Sequence, residues 1–161
     1  MGRIPETKWV DWENLPSLAE ILRKQKKTVV TSNGCFDLLH WGHIKYLAQA
    51  KLLGDTLVVG INSDRSVRGL NKGPERPIYP EKLRALQVAG LESVDYVFVF
   101  DQDTPEVFLE IIRPQIHVKG ADYMHKDIPE RKIVEKHGGK IELIPFVEGF
   151  STTSLISALR R

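Results

Sequence analysis

With 161 residues, 42% hydrophobic and 27% charged, the chain is long enough for one domain with a real core, which excludes the disordered, collagenous and fibrous classes. A net charge of +2 is too small to argue for nucleic acid or an anionic membrane as partner. One cysteine, Cys35, excludes an internal disulfide and fits a reducing compartment, and no run approaches the roughly 20 apolar residues of a membrane span.

The first 14 residues lack the apolar core of a signal peptide, and Glu6 stands where a myristoylation pattern needs Ser or Thr. A cytoplasmic protein is therefore expected. Leu15–Gln25 reads as a helix whose basic end, Arg23-Lys24-Gln25-Lys26-Lys27, suits the helix dipole. Thr28–Thr31 reads as a strand. Ile44, Leu47, Ala48 and Leu52 mark one face of a helix stopped at Gly54. Thr56–Ile61 is a continuously apolar strand, as expected when both faces are buried. Pro80–Leu91 reads as a helix with Leu83, Leu86, Val88 and Ala89 inward. Strand Tyr96–Phe100, helix Pro105–Ile112, strand Ile116–Val118, helix Ile128–His137, strand Lys140–Ile144 and helix Ser151–Leu159 complete the series.

This alternation predicts an α/β, Rossmann-like, doubly wound and mainly parallel five-stranded sheet with helices on both faces. The expected organisation is a single domain over residues 1–161, with residues 1–27 as a helical extension packed on it. Ligands of such folds sit beyond the C-terminal strand ends, at the topological switch point. The 62–79 loop holds Arg65, Arg68, Lys72 and Arg76, and long loops of this kind commonly act as lids. Arg84 and Asp95 stand as a structural pair or as groups that orient the site.

After the first strand comes Thr31-Ser32-Asn33-Gly34-Cys35-Phe36-Asp37-Leu38-Leu39-His40-Trp41-Gly42-His43. It matches neither the dinucleotide fingerprint nor the P-loop. It instead sets two histidines around a glycine where a helix begins. A helix start offers free N–H groups and a positive dipole end, so it binds phosphate. Gly42 permits close approach, the imidazoles donate hydrogen bonds, and Lys45 adds a charge. Zinc ligation by the two histidines would need further ligands, and no third histidine lies nearby in sequence. Burial in the core is the plain structural alternative. Cys35 reads as packing, with its backbone exposed at the strand end.

The segment Gly34-Cys35-Phe36-Asp37-Leu38-Leu39-His40-Trp41-Gly42-His43, with Glu148-Gly149-Phe150-Ser151-Thr152-Thr153 downstream, resembles the two signatures of the cytidylyltransferase-like nucleotidyltransferase superfamily. Ser151 also reads as an ordinary N-cap, and both roles can hold at once. Asn62–Val67, Lys72–Ile78, Val94–Val97, Asp103-Thr104-Pro105 and Val118–Tyr123 resemble the D-glycero-β-D-manno-heptose 1-phosphate adenylyltransferases. With no kinase half in the sequence, the resemblance is to the free-standing form. Glycerol-3-phosphate cytidylyltransferases share the first motif but carry Arg-Thr where this chain has Phe146-Val147. FAD synthetases of the archaeal type share it too. Pro129-Glu130-Arg131 departs from the small Gly-containing turn of the heptose enzymes, in a region within reach of substrate.

The resemblance implies AMP transfer from ATP to a sugar 1-phosphate, with Mg²⁺ carried by ATP and no protein metal ligands. It implies catalytic roles for His40, His43 and Lys45. It places nucleotide contacts at Cys35, Phe36, Gly42, Gly120, Asp122, Ser151, Thr152 and Thr153, and acceptor contacts at Asp37, Lys72 and Arg76. Homo-oligomers are common in the superfamily, and no sequence patch identifies an interface. A non-catalytic nucleotide-binding module and a metal-dependent hydrolase are the alternatives from other classes.

Overall fold

Five short apolar runs fall into register as one parallel sheet. They are β1 (Val29–Gly34), β2 (Thr56–Asn62), β3 (Tyr96–Phe100), β4 (Ile116–Gly120) and β5 (Lys140–Ile144). Their order is β3-β2-β1-β4-β5, and every neighbouring pair is parallel. The structure, a computed structural model, describes residues 4–71, 73–121, 128–145, 149 and 151–159. Chain order reverses between β1 and β4, and the crevice of such a sheet opens there.

The helices are α1 (Leu15–Lys24), α2 (Trp41–Lys51), α3 (Asp64–Gly69), α4 (Glu81–Ala89), α5 (Glu106–Ile112), α6 (Arg131–Lys136) and α7 (Thr152–Leu159). They cover both faces, as the alternation requires. Leu57, Val59 and Ile61 of β2 pack with Leu47 and Ala50 of α2 and with Ala85, Val88 and Ala89 of α4. Val58 points the other way, toward Leu15, Leu18 and Leu22 of α1 and Phe108, Leu109 and Ile112 of α5. In α1, Leu15, Leu18, Ala19 and Leu22 are all buried, which is the 3.6-residue stripe of a half-buried helix. Gly60 is needed in β2, because a Cβ there would stand 2.9 Å from the Phe98 ring.

The N-terminal segment covers the β3 edge. Val10 N donates to Val97 O at 2.8 Å, and Lys8 Nζ donates to Leu91 O at 2.8 Å. This pairing occupies backbone groups that an open edge would leave exposed.

Several expectations need correction. In α2 the inward residues are Leu47 and Ala50, whereas Ala48 is exposed and Leu52 is 85% exposed. In α4, Leu83 is exposed and the buried position is taken by its neighbour Arg84. The 62–79 segment is not all loop: Ser63 caps α3 by accepting from Ser66 N. Arg84 and Asp95 do not pair. Asp95 accepts from Lys51 Nζ at 2.7 Å and Leu57 N at 2.8 Å, whereas Arg84 bonds elsewhere.

Candidate active site

The segment leaving β1 makes two sharp turns. Phe36 (φ 47°) and Leu38 (φ 50°) both adopt left-handed backbone, which costs a non-glycine residue about 1–2 kcal/mol. The surroundings hold them there. Arg84, fully buried, donates through Nη1 to Cys35 O at 2.7 Å, through Nε to Tyr79 O at 2.9 Å and through Nη2 to Asp64 Oδ1 at 2.7 Å. One guanidinium thus ties the β1 exit to α3 and to the entrance of α4. Phe36 folds back on Gly34, where a Cβ would lie 3.0 Å from its ring.

Asp37 is the second tie. Its buried carboxylate accepts from Arg76 Nε at 2.7 Å, Ile78 N at 2.7 Å and Tyr79 N at 3.0 Å. Its backbone oxygen accepts from Thr152 Oγ1 at 2.8 Å, at the start of α7. Asp37 was expected on the acceptor side; its carboxylate is instead committed to protein donors, and Arg76 is the member of the pair with donors left over. Arg76 Nε is the atom used, and the guanidinium stands in the cavity wall.

His40 caps α2. Its Nδ1 accepts from Gly42 N at 3.1 Å, so that N–H of the helix start is engaged by the histidine, contrary to the expectation of a free donor. An accepting Nδ1 places the proton of the neutral ring on Nε2. Burial holds the His40 pKa below the ordinary histidine value, which favours this neutral form. His43, one turn on, stacks against His40 with centroids 3.8 Å apart, and Phe36 meets its ring edge-on at 5.3 Å. At α7 the N-cap expectation for Ser151 is met: Ser154 N donates to Ser151 Oγ at 3.0 Å.

These parts enclose a cavity of about 570 Å³ over the β1–β4 switch. Cys35, Phe36, Asp37, His40, Gly42, His43, Arg76, Gly120, Ser151 and Thr152 all line it. Lys45 and Thr153 are exposed and are not on its wall. Lys72 and Asp122 lie outside the described residues. The wall also carries residues that were given no site role from the sequence. Asn33 and Asn62 come from strand ends. Phe100 ends β3, Asp103 and Pro105 follow it, and Tyr46 comes from α2. Tyr46 is fixed by its hydroxyl, which donates to Val118 O at 3.0 Å and meets Ser32 Oγ at 2.8 Å.

Lys119 and Glu130 complete the β4 side. Lys119 Nζ is 2.5 Å from Glu130 Oε1 and donates to Asn33 Oδ1 at 3.1 Å, and both members of the ion pair are buried. No group of three His, Cys, Asp or Glu side chains gathers as a metal site among the described residues. Nor is any helix among them long and apolar enough to cross a membrane.

A family model described as cytidylyltransferase-like matches residues 32–157. The chain is 50% identical over 147 residues to the bifunctional protein HldE of Syntrophotalea carbinolica, covering 91% of this chain and 30% of that protein. It is 50% identical over 151 residues to HldE of Geotalea uraniireducens, covering 92% and 31%. The chain thus spans about three-tenths of the length of these relatives. Among solved structures, a lipopolysaccharide core biosynthesis protein from Thermoplasma volcanium superposes with a TM-score of 0.62 at 28% identity, over 75% of this chain and 97% of that one. The pantoate–β-alanine ligase of Francisella tularensis, with a TM-score of 0.58 at 16% identity over 95% and 79%, shares the fold alone.

Proposed function

The chain belongs to the cytidylyltransferase-like family of nucleotidyltransferases, and on that footing we propose that it transfers AMP from ATP to D-glycero-β-D-manno-heptose 1-phosphate, giving ADP-heptose and pyrophosphate. The observation that carries the reading is the meeting of two helix starts in one cavity: His40, Gly42 and His43 from α2, and Ser151 and Thr152 from α7. The similarity to the HldE proteins, and to a lipopolysaccharide core biosynthesis protein of known structure, supports heptose supply to that core. Residues 1–161 are taken as one nucleotidyltransferase unit, with residues 1–27 packed on it, acting in the cytoplasm.

The sugar phosphate is already anionic at neutral pH, so its attack on the α-phosphorus needs no general base. One phosphate oxygen bonds to the α-phosphorus while the bond to the β-phosphate bridging oxygen breaks, and pyrophosphate leaves in line. The protein positions two mutually repelling anions and stabilises the transferring group. His40 Nε2–H and the His43 ring serve the α- and β-phosphates. Ser151 and Thr152 hold the leaving phosphates, and Cys35 and Phe36 act through their backbone. The adenosine part lies along Gly120. Arg76, positioned by Asp37, offers its Nη groups to the acceptor phosphate. Magnesium enters with ATP as substrate, held by phosphate oxygens and water as is usual for this ion.

The test is a matrix of nucleoside triphosphates against heptose 1-phosphate, glycerol 3-phosphate and FMN, read by pyrophosphate release. ATP with heptose 1-phosphate should be the best pair. A preference for CTP or for FMN would overturn the assignment, and no release with any pair would point to a non-catalytic module.

A further inference from the structure

Glu130 brings a buried carboxylate to the cavity wall. It is 5% exposed, Oε1 pairs with Lys119, and Oε2 is buried with no hydrogen-bond partner among the described residues. Leaving a buried carboxylate oxygen unmade is costly, and such groups call for a functional explanation. Its surroundings define what could satisfy it. A carboxylate repels phosphate, and the neighbouring cation Lys119 is already paired with it and with Asn33. This end of the cavity therefore suits an uncharged, donor-bearing part of a ligand. It lies beside Gly120 at the end of β4, on the opposite side of β1 from Asn62, Phe100 and Asp103. The terminal torsion of a glutamate is soft, so the carboxylate can turn Oε2 to a ligand while keeping Lys119.

Resting on the nucleotidyltransferase reading, we infer that Glu130 is a specificity-determining residue that accepts a hydrogen bond from the nucleoside of the bound triphosphate. Two nucleoside groups have the required chemistry, a ribose hydroxyl and the exocyclic amine of the base. Neither the fold nor the first motif marks this position. The sequence marks it only within Pro129-Glu130-Arg131, and the structure adds that α6 sets this N-cap residue against the end of β4.

The experiment is equilibrium binding of magnesium-loaded ATP, ITP, 2′-deoxyATP and 3′-deoxyATP without acceptor, for the whole chain and for E130Q and E130D. ITP replaces the amine with a carbonyl, and each deoxy analogue removes one hydroxyl. The wild-type chain should bind at least one analogue about tenfold or more weaker than ATP, the range expected of a hydrogen bond to a charged group. E130Q should reduce that ratio several-fold, with E130D intermediate. Loss in the ITP arm identifies the amine, and loss in a deoxy arm identifies the hydroxyl. A merely structural role for Glu130 would weaken all four nucleotides alike and leave the ratios unchanged, which would overturn the inference. Equal binding of all four by the wild-type chain would overturn it without any variant. Failure to bind any nucleoside triphosphate would sink the nucleotidyltransferase reading and this inference with it, whereas ATP binding with unchanged ratios would sink the inference alone.

Discussion

Replacing Asp37 with Asn probes the tie between the site and its framework. The carboxylate accepts from Arg76 Nε and Ile78 N on Oδ2 and from Tyr79 N on Oδ1. An amide in that place must turn its NH₂ either toward the first two donors or toward the third, so at least one donor faces a donor. It also leaves Arg76, 7% exposed, without its counter-charge. Breaking a buried pair by removing one partner costs about 3–5 kcal/mol. Some of the guanidinium reaches the cavity and can be hydrated there, which favours the lower half of that range. With a urea m-value of about 2 kcal/mol/M, the denaturation midpoint should fall by about 2 M. Tryptophan fluorescence is the readout, given 3 Trp in the chain. KM for the acceptor should rise more than KM for ATP, since Thr152 bonds the backbone oxygen of Asp37, which the substitution keeps. A loss under about 1 kcal/mol, the range of an exposed ion pair, would refute the reasoning.

His43→Ala should lose at least about 10² in turnover while keeping its far-UV circular dichroism, as expected for removal of a transition-state donor. Near-normal pyrophosphate release would remove His43 from the mechanism. His117 predicts acid sensitivity. It is fully buried, with Nδ1 2.8 Å from Thr31 Oγ1, and burial together with Lys119 holds its pKa well below the ordinary value. Below about pH 6.5 the unfolded chain binds a proton that the folded chain refuses, so this stability is complete above that pH and declines as pH falls toward the depressed folded value. As the pH is lowered from about 7.5 to about 5.5, the wild-type chain should lose more stability than His117→Gln, measured by urea denaturation. Equal losses would contradict it.

How much was legible follows from where each signal resides. Strands β3 and β5, the two edges of the sheet, match their expected bounds residue for residue, because each is a short β-prone run set between turn residues. The first motif was legible because its spacing is local: a cap, a glycine and a second histidine within one turn of α2. The errors came where a polar residue won an inward position. Arg84 displaces Leu83 from the core because three acceptors converge on it, from Cys35, Asp64 and Tyr79, and no periodicity reports that. Lys45 looked well placed beside the histidines, but two residues along a helix rotates the side chain far around the axis, away from the His43 face. Asn33, Asn62, Asp103 and Glu130 share no local pattern, and only the sheet order brings them together.

The charge balance of the cavity leads to one more prediction. Its two long cations on the described wall are both matched by buried carboxylates, Arg76 by Asp37 and Lys119 by Glu130. Asp103 adds a further negative group, itself 3.2 Å from Arg65. Burial favours a neutral His40. The described wall therefore offers oriented donors with no excess positive charge, and a bare triphosphate would enter against its own repulsion. Two compensating charges at about 4 Å are worth on the order of 2 kcal/mol even at the dielectric of water, or about 30-fold in affinity. ATP binding should accordingly weaken by at least that factor when magnesium is removed with EDTA, while adenosine, which carries no phosphate, should bind equally well in both conditions. Equal ATP affinity with and without magnesium would show that cations beyond these paired ones serve the phosphates.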